Sequence, residues 1–222
     1  MKNETTVTSD TKADQVHRRV KAAILQGQFV PGEKLVAHQL AQRFNTSIIP
    51  VREALSRLEA EDLVTVVPHT GIYVKNIDLD QLRELYPIRG LLEGYAVRLA
   101  ADRLVPDDFA RLWGLVRLMD EAAAQGDAGR MGEYNREFHL ALYGACGNQS
   151  LVDLIDELWQ KTILARLIFK LTPKRAEASN REHRKILEYL EQGKKGNAER
   201  LVVRQSEKTL KLLVRQLAGL GF

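Results

Sequence analysis

One cysteine, Cys146, is the whole thiol content of this chain, which excludes an internal disulfide and agrees with a reducing cytoplasm. It falls in Ala145-Cys146-Gly147-Asn148, at an expected helix end, where it reads as a small packed residue ahead of a redox sensor. Long apolar runs are also missing. None is long enough to cross a bilayer, so no membrane partner is expected. The first ten residues lack the apolar core of a signal peptide, and the protein is expected to be cytoplasmic. There is no internal repeat, no low-complexity tract and no basic block. The 33 Lys+Arg against 29 Asp+Glu leave a net charge of +4. Residues 1–76 hold ten basic and eight acidic side chains, a balance typical of a solvated surface. The 222 residues, 45% of them hydrophobic, suffice for two modest domains with packed cores.

What is present is most specific between residues 24 and 74. Val16, Val20 and Ile24 fall at helical spacing and predict a helix over 13–26, stopped by Gly27 and followed by the Pro31-Gly32 loop. A short helix is expected over 37–44, with Leu40, Ala41 and Phe44 turned inward. Asn45-Thr46-Ser47 is then a turn whose hydroxyls can cap the next helix, and Pro50 is tolerated in its first turn. Val51, Leu55 and Leu58 form the buried stripe of that second helix, leaving Arg52 and Arg57 on other faces. The β-rich runs 63–67 and 72–74 flank Pro68-His69-Thr70-Gly71, a turn-rich hairpin. Two short helices, a tight turn and a hairpin are the layout of a winged helix-turn-helix, whose second helix lies in the DNA major groove.

Gly27, Pro31-Gly32-Glu33, Leu35, Leu40-Ala41, Ser47, Pro50-Val51-Arg52-Glu53-Ala54-Leu55, Leu58, Gly71 and Val74 together resemble the GntR family of bacterial transcription regulators. The pattern covers about sixty residues with many fixed positions. The resemblance implies a homodimer that binds a short palindromic operator in double-stranded DNA, with its recognition helix near residues 47–60. It places Arg52 at base edges or phosphate and His69, Thr70 and Gly71 at a wing tip in the minor groove. His38, Arg43, Ser47, Ile48 and Arg57 complete the implied DNA face. Relatives often carry arginine where this chain has Ile48. Arginine grips guanine bidentately, worth about 1–3 kcal/mol of discrimination, whereas isoleucine can touch only a thymine methyl. A different operator sequence is expected, with binding retained. His38 stands where a cation often meets the backbone, which implies a phosphate contact that is either weak or pH-dependent.

After a short linker at 76–78 the pattern becomes almost wholly helical, with helices expected over 79–104, 106–125, 128–145, 149–171, 173–192 and 197–218. The breaks are chemically sensible: Asp78 as a cap, Pro106-Asp107-Asp108 at a helix start, Gly126, Gly147-Asn148, Thr172-Pro173 and Gly193 to Gly196. The expected fold is mainly α, a winged helix-turn-helix over 13–75 behind a flexible tail at 1–12, then an all-α antiparallel helical bundle over 79–222.

Polar residues on apolar stripes mark a candidate pocket in that bundle. Arg89 lies on the line Leu82, Leu85, Leu92, Ala96, Leu99, and a guanidinium is costly to bury unless an anion meets it. Glu93, one turn on, is one such anion; a ligand carboxylate is the other, and Glu93 can orient Arg89 for it. Asn135 and His139 project together from one face, His183 heads a stripe with Ile186, Leu187 and Leu190, and Gln205 sits among Leu201, Val202, Thr209 and Leu212. Arg166 is read either as a second pocket cation or as a surface arginine.

This half resembles the all-helical effector domain, or FCD domain, of the FadR-type branch of the same family. The matching residues are Arg89, Leu92-Glu93, Asn135, Phe138-His139, Leu142-Tyr143, Gly147-Asn148, Glu182-His183 and Ile186-Leu187. Relatives with a metal hold it by an aspartate or asparagine, a histidine one turn later and two further histidines. Asn135, His139 and His183 match three of these positions, and Gln205 falls at the fourth. Imidazole and carboxylate suit zinc, nickel or manganese, but amides are poor ligands, so any such ion is expected to be weakly held. The preferred picture is a pocket in which Arg89, Asn135, His139, His183, Gln205 and Arg166 bind a small carboxylate effector directly. A constitutive regulator with a vestigial pocket is the main alternative. A metal-dependent enzyme is the weaker one, because no nucleophile, base and orienter set is visible.

Overall fold

The computed structural model describes residues 10–167 and 172–218. Contacts divide the chain into two compact units, Met1–Asn76 and Ile77–Phe222.

In the first unit, α1 (Lys12–Leu25) opens on a capping box. The Thr11 hydroxyl accepts from the Asp14 N–H while the Asp14 carboxylate accepts from the Thr11 N–H. Val16, Val20 and Ile24 are buried, as the helical period predicts. The loop behind Gly27 contains a strand that periodicity did not reveal, β1 (Lys34–Leu35). It exists because its two residues pair with Tyr73 and Ile72 and Leu35 drops into the core. Next come α2 (Ala37–Arg43) and α3 (Ile48–Ala60), joined by a turn in which Asn45 takes a positive φ of 50°. Asn is among the few residues that tolerate that region. Val51, Ala54, Leu55 and Leu58 form the buried face of α3, which packs on α1. Ser47 occupies the N-cap position, but its hydroxyl makes no capping hydrogen bond, contrary to expectation. The hairpin of β2 (Val64–Val67) and β3 (Gly71–Val74) completes a three-stranded antiparallel sheet in the order β1-β3-β2.

The second unit contains α4 (Leu79–Ala100), α5 (Pro106–Ala124), α6 (Ala128–Gly144), α7 (Gln149–Lys161), a 3-10 turn (Ile163–Leu167), α8 (Pro173–Glu191) and α9 (Lys195–Ala218). α4 packs most extensively on α9 and also touches α6 and α7, while α5 packs on α6 and α8. Gly90 and Gly94, one turn apart, let α4 and α9 approach closely. A Cβ at Gly94 would lie 2.8 Å from Val203 Cγ2, and one at Gly90 3.1 Å from Ser206 Cβ. Gly94→Ala is therefore expected to destabilise the helical unit by about 1–3 kcal/mol through overpacking, despite alanine's better helix propensity. An unchanged urea midpoint would show that the two helices can separate freely.

The single helix expected over 149–171 is broken. α7 ends at Lys161, and the chain tightens into the 3-10 turn, with the end of the expected helix (168–171) outside the described residues. The Thr162 hydroxyl donates to the Leu158 carbonyl at 2.9 Å, a local bond that competes with continued α-helix. The break leaves that hydroxyl facing Arg89.

Candidate functional site

The DNA-facing features belong to the first unit. Arg52 projects from α3 into solvent and makes no hydrogen bond or ion pair with any described residue. Ser47 is exposed, Ile48 is 38% exposed and its neighbour Ile49, not singled out by sequence, is 70% exposed. His38, Gln42, Asn45, Thr46, Ser47 and Ile48 line a shallow cleft between α2 and the start of α3. Two arginines grouped with this face are engaged elsewhere. Arg57 pairs with Asp14 of α1 at 2.5 Å. Arg43 lies over the Phe29 ring and donates to Gln28 Oε1 at 2.9 Å. At the wing, the Thr70 N–H and hydroxyl both donate to the Val67 carbonyl, and His69 is exposed with φ 63°. Gly71 has φ 136° and packs against Lys34, where a Cβ would lie 2.8 Å from Cε.

The second unit holds a buried polar cavity between α4, α6, α7, α8 and α9, with about 50 Å³ open to water-sized molecules. Such a volume admits a few waters or a small organic molecule. Arg89, Asn135, His139 and Gln205 line it together, as expected from sequence. The Arg89 guanidinium is clamped between two rings, 4.2 Å from the Tyr86 centroid and 4.7 Å from that of Trp159. Its Nη1 donates to Thr162 Oγ1 at 2.7 Å, and its Nε lies 2.8 Å from Glu93 Oε1. The Nε contact is an ion pair without hydrogen-bond geometry, so Nε is a buried donor lacking an acceptor. Glu93 also accepts from Trp159 Nε1 at 2.7 Å. Burial opposes the Arg89 charge, but the Glu93 carboxylate beside it outweighs this and holds the group protonated.

His139 and His183 meet at Nε2 to Nε2, 3.2 Å apart. His139 Nδ1 lies 2.8 Å from the Tyr143 hydroxyl, and His183 Nδ1 lies 3.4 Å from Asn180 Oδ1. His183 is wholly buried behind His139 rather than on the cavity wall. Burial, then the charges of Arg89 and Arg175, push His139 down to about 3. Burial and His139 push His183 well down also. Both rings are neutral, and the pair is satisfied when one donates its Nε2 proton to the other. The helical unit should therefore be most stable above the ordinary histidine value of 6.5 and lose stability as pH falls toward about 3. Each pH unit in that window costs about 1.4 kcal/mol per buried histidine. Urea midpoints at pH 7 and pH 5 measure this, and equal values would contradict two neutral buried rings.

Asn135 is buried, lines the cavity and makes no hydrogen bond with any described residue. Gln205 Nε2 donates to Ser179 Oγ at 3.3 Å. The side chain of Arg166 lies outside the described residues. Among the described residues, Arg175 is a second cation on the cavity wall, 4% exposed, and donates to Glu182 Oε2 at 2.9 Å and to Thr209 Oγ1 at 3.1 Å. Extending the His183 stripe backwards by helical turns leads to Ser179 and Arg175, a signal that sequence reading passed over. Trp159 was equally findable, beside Ile155 on the inner face of α7.

Two imidazoles are present here, but among the described residues no three His, Cys, Asp or Glu side chains come together. The amides of Asn135 and Gln205 are poor substitutes, so these residues do not fit a firmly held zinc, nickel or manganese ion.

An exposed recognition helix beside a wing, joined to a helical bundle with a buried polar cavity, defines a transcription regulator with a winged helix-turn-helix. Family comparison agrees: residues 12–74 match the bacterial regulatory proteins of the gntR family and residues 84–206 match the FCD domain. The chain belongs to the GntR family, in its FadR-type branch. It is 36% identical over 145 residues to the HTH-type transcriptional regulator McbR of Escherichia coli (strain K12), covering 65% of this chain and 66% of McbR. It is 33% identical over 140 residues to the Nta operon transcriptional regulator of Aminobacter aminovorans, covering 63% and 66%. The chain thus spans just under two thirds of the length of these two relatives. A probable D-xylose utilization operon transcriptional repressor of Paenarthrobacter nicotinovorans is 32% identical over 189 residues, 84% of this chain and 82% of that one. The solved structure of E. coli McbR/YncC superposes with a TM-score of 0.76 at 28% identity, covering 93% of this chain and 99% of that one. No described helix is long and apolar enough to cross a membrane.

Proposed function

We propose that the protein binds a palindromic operator as a homodimer and that a small carboxylate in the helical cavity changes its DNA affinity. The observation that carries the effector is the cavity itself. It buries a guanidinium with an unused Nε donor beside an Asn135 amide that has no hydrogen bond among the described residues. A buried donor without an acceptor is expensive, and a ligand carboxylate would satisfy the Arg89 guanidinium while the Asn135 amide offers it a further hydrogen bond. Arg52 and Ile48 on α3, with Ser47 at its N-cap, read the operator, and His69, Thr70 and Gly71 enter the adjoining minor groove. Only four residues separate β3 from α4. An effector that favours one arrangement of the bundle would shift the spacing of the paired recognition helices through this short connection.

Support for the homodimer comes from α4. Ile88, Leu91 and Tyr95 are 50%, 66% and 49% exposed along one stripe, flanked by exposed Glu84 and Arg98. Laid antiparallel about a twofold axis at Leu91, two copies would set the Glu84 of each against the Arg98 of the other.

The test is a gel shift on DNA selected from a random pool by the purified full chain, with and without millimolar lactate, acetate or malonate. A change in affinity with at least one acid is expected. Tight binding that no acid alters favours the constitutive reading, which the internal Arg89–Glu93 pair also supports.

A further inference from the structure

Helix α3 begins with an apolar pair that the first unit leaves uncovered. Ile48 is 38% exposed and borders the cleft beside α2; Ile49 is 70% exposed and stands clear of it. Arg52 lies one turn on, at i+4 from Ile48 and i+3 from Ile49, so the three side chains share one face of the helix. Among the described residues of this unit, the other large exposed apolar side chains, Val30, Val36, Val66 and Val67, all lie off α3. The pair is also stiff. Branching at Cβ restricts each isoleucine at χ1, and the ring of Pro50 restricts the backbone of Ile49 before it. Little conformational freedom is left to lose when the pair makes a contact.

Two side chains are too small a patch for a stable protein partner, which needs about 800 Å² on each side. In the major groove the apolar group on a base edge is the 5-methyl of thymine, while the other bases present hydrogen-bond donors and acceptors. Exposed isoleucines at the tip of a helix that reads DNA therefore have one complementary feature to meet. We infer that Ile48 and Ile49 together read thymine methyl groups, with Ile49 the principal contact. Each operator half-site then carries at least one thymine selected for its methyl and not for its hydrogen-bonding pattern. The inference rests on α3 being the operator-reading helix, and it goes beyond that reading by adding Ile49 and naming the base and the group recognised.

Fluorescence anisotropy on DNA selected from a random pool by the purified full chain tests it. Each thymine of the half-site is replaced in turn, in both half-sites at once, by deoxyuridine, which keeps every hydrogen bond of thymine and lacks only the methyl. At one or more positions the replacement should weaken wild-type binding at least fivefold, within the roughly tenfold that burying two methyl groups can supply. The same replacement should cost the Ile48→Ala/Ile49→Ala variant less than twofold, and comparing the two proteins cancels any effect of uracil on the duplex itself. Both side chains are exposed and alanine favours helix, so the variant keeps its fold. Ile49→Ala alone should remove the larger share of the sensitivity, and it supplies the comparison should the double variant bind too weakly to measure. Undiminished binding to every uracil-substituted DNA overturns the methyl reading while leaving α3 as the operator reader. Uracil sensitivity that persists in the variants overturns it too, by placing the contact on another residue. A wild type that selects no sequence overturns the operator reading and the inference with it.

Discussion

Arg52→Ala is expected to abolish sequence-specific DNA binding while leaving the fold intact. The side chain stands exposed on α3 with no described partner, so its removal exposes no buried group and opens no cavity. A bidentate contact to a base is worth about 1–3 kcal/mol, and the proposed homodimer would make it twice, so the expected loss is about 2–6 kcal/mol or roughly 30- to 10⁴-fold in affinity. Binding to DNA selected by the wild type, measured by fluorescence anisotropy, gives the number. Arg57→Ala in the same assay is the internal contrast: that guanidinium is committed to Asp14, and its loss should change affinity little. A selection repeated with Ile48→Arg should move one position of each half-site toward guanine. If Arg52→Ala binds like the wild type, α3 does not read DNA through this residue.

Arg89→Ala should combine a structural loss with a functional one, and a second variant separates them. Removing one partner of a buried pair strands the other, which typically costs about 3–5 kcal/mol. Here the stranded group is Glu93, which would keep only Trp159 as a described partner. The double variant Arg89→Gln/Glu93→Gln carries no such charge and should recover most of that stability in urea unfolding. Both variants should bind DNA without ligand as the wild type does, and neither should respond to lactate in a gel shift. A lactate response restored in the double variant would make Arg89 a structural residue only.

The winged domain was legible because its signals are local. The period of Val51, Leu55 and Leu58 fixes which face of α3 is buried, and hence that Arg52 is not. β1 escaped because two residues carry no period; only pairing with β3 makes them a strand. In the helical unit, Arg89, Asn135, His139 and Gln205 announced themselves as polar residues on apolar stripes and do converge on one cavity. The break after α7 was invisible because Ile163, Leu164 and Leu167 continue the apolar run, while its cause is tertiary, a Thr162 hydroxyl shared by Arg89 and Leu158. Arg175 was missed for a related reason. A stripe shows which face of a helix turns inward but not how far along its length the cavity extends.

The place of Trp159 has an optical consequence. The chain has two tryptophans, and they lie in contrasting surroundings. Trp113 is half-exposed and donates to Glu191. Trp159 is buried, with its indole N–H on Glu93 and its ring 4.7 Å from the Arg89 guanidinium. Whatever enters the cavity and draws on either charged group changes the local field across that indole. The protein thus carries its own fluorophore on the cavity wall, with Trp113 in contrasting surroundings and no label required.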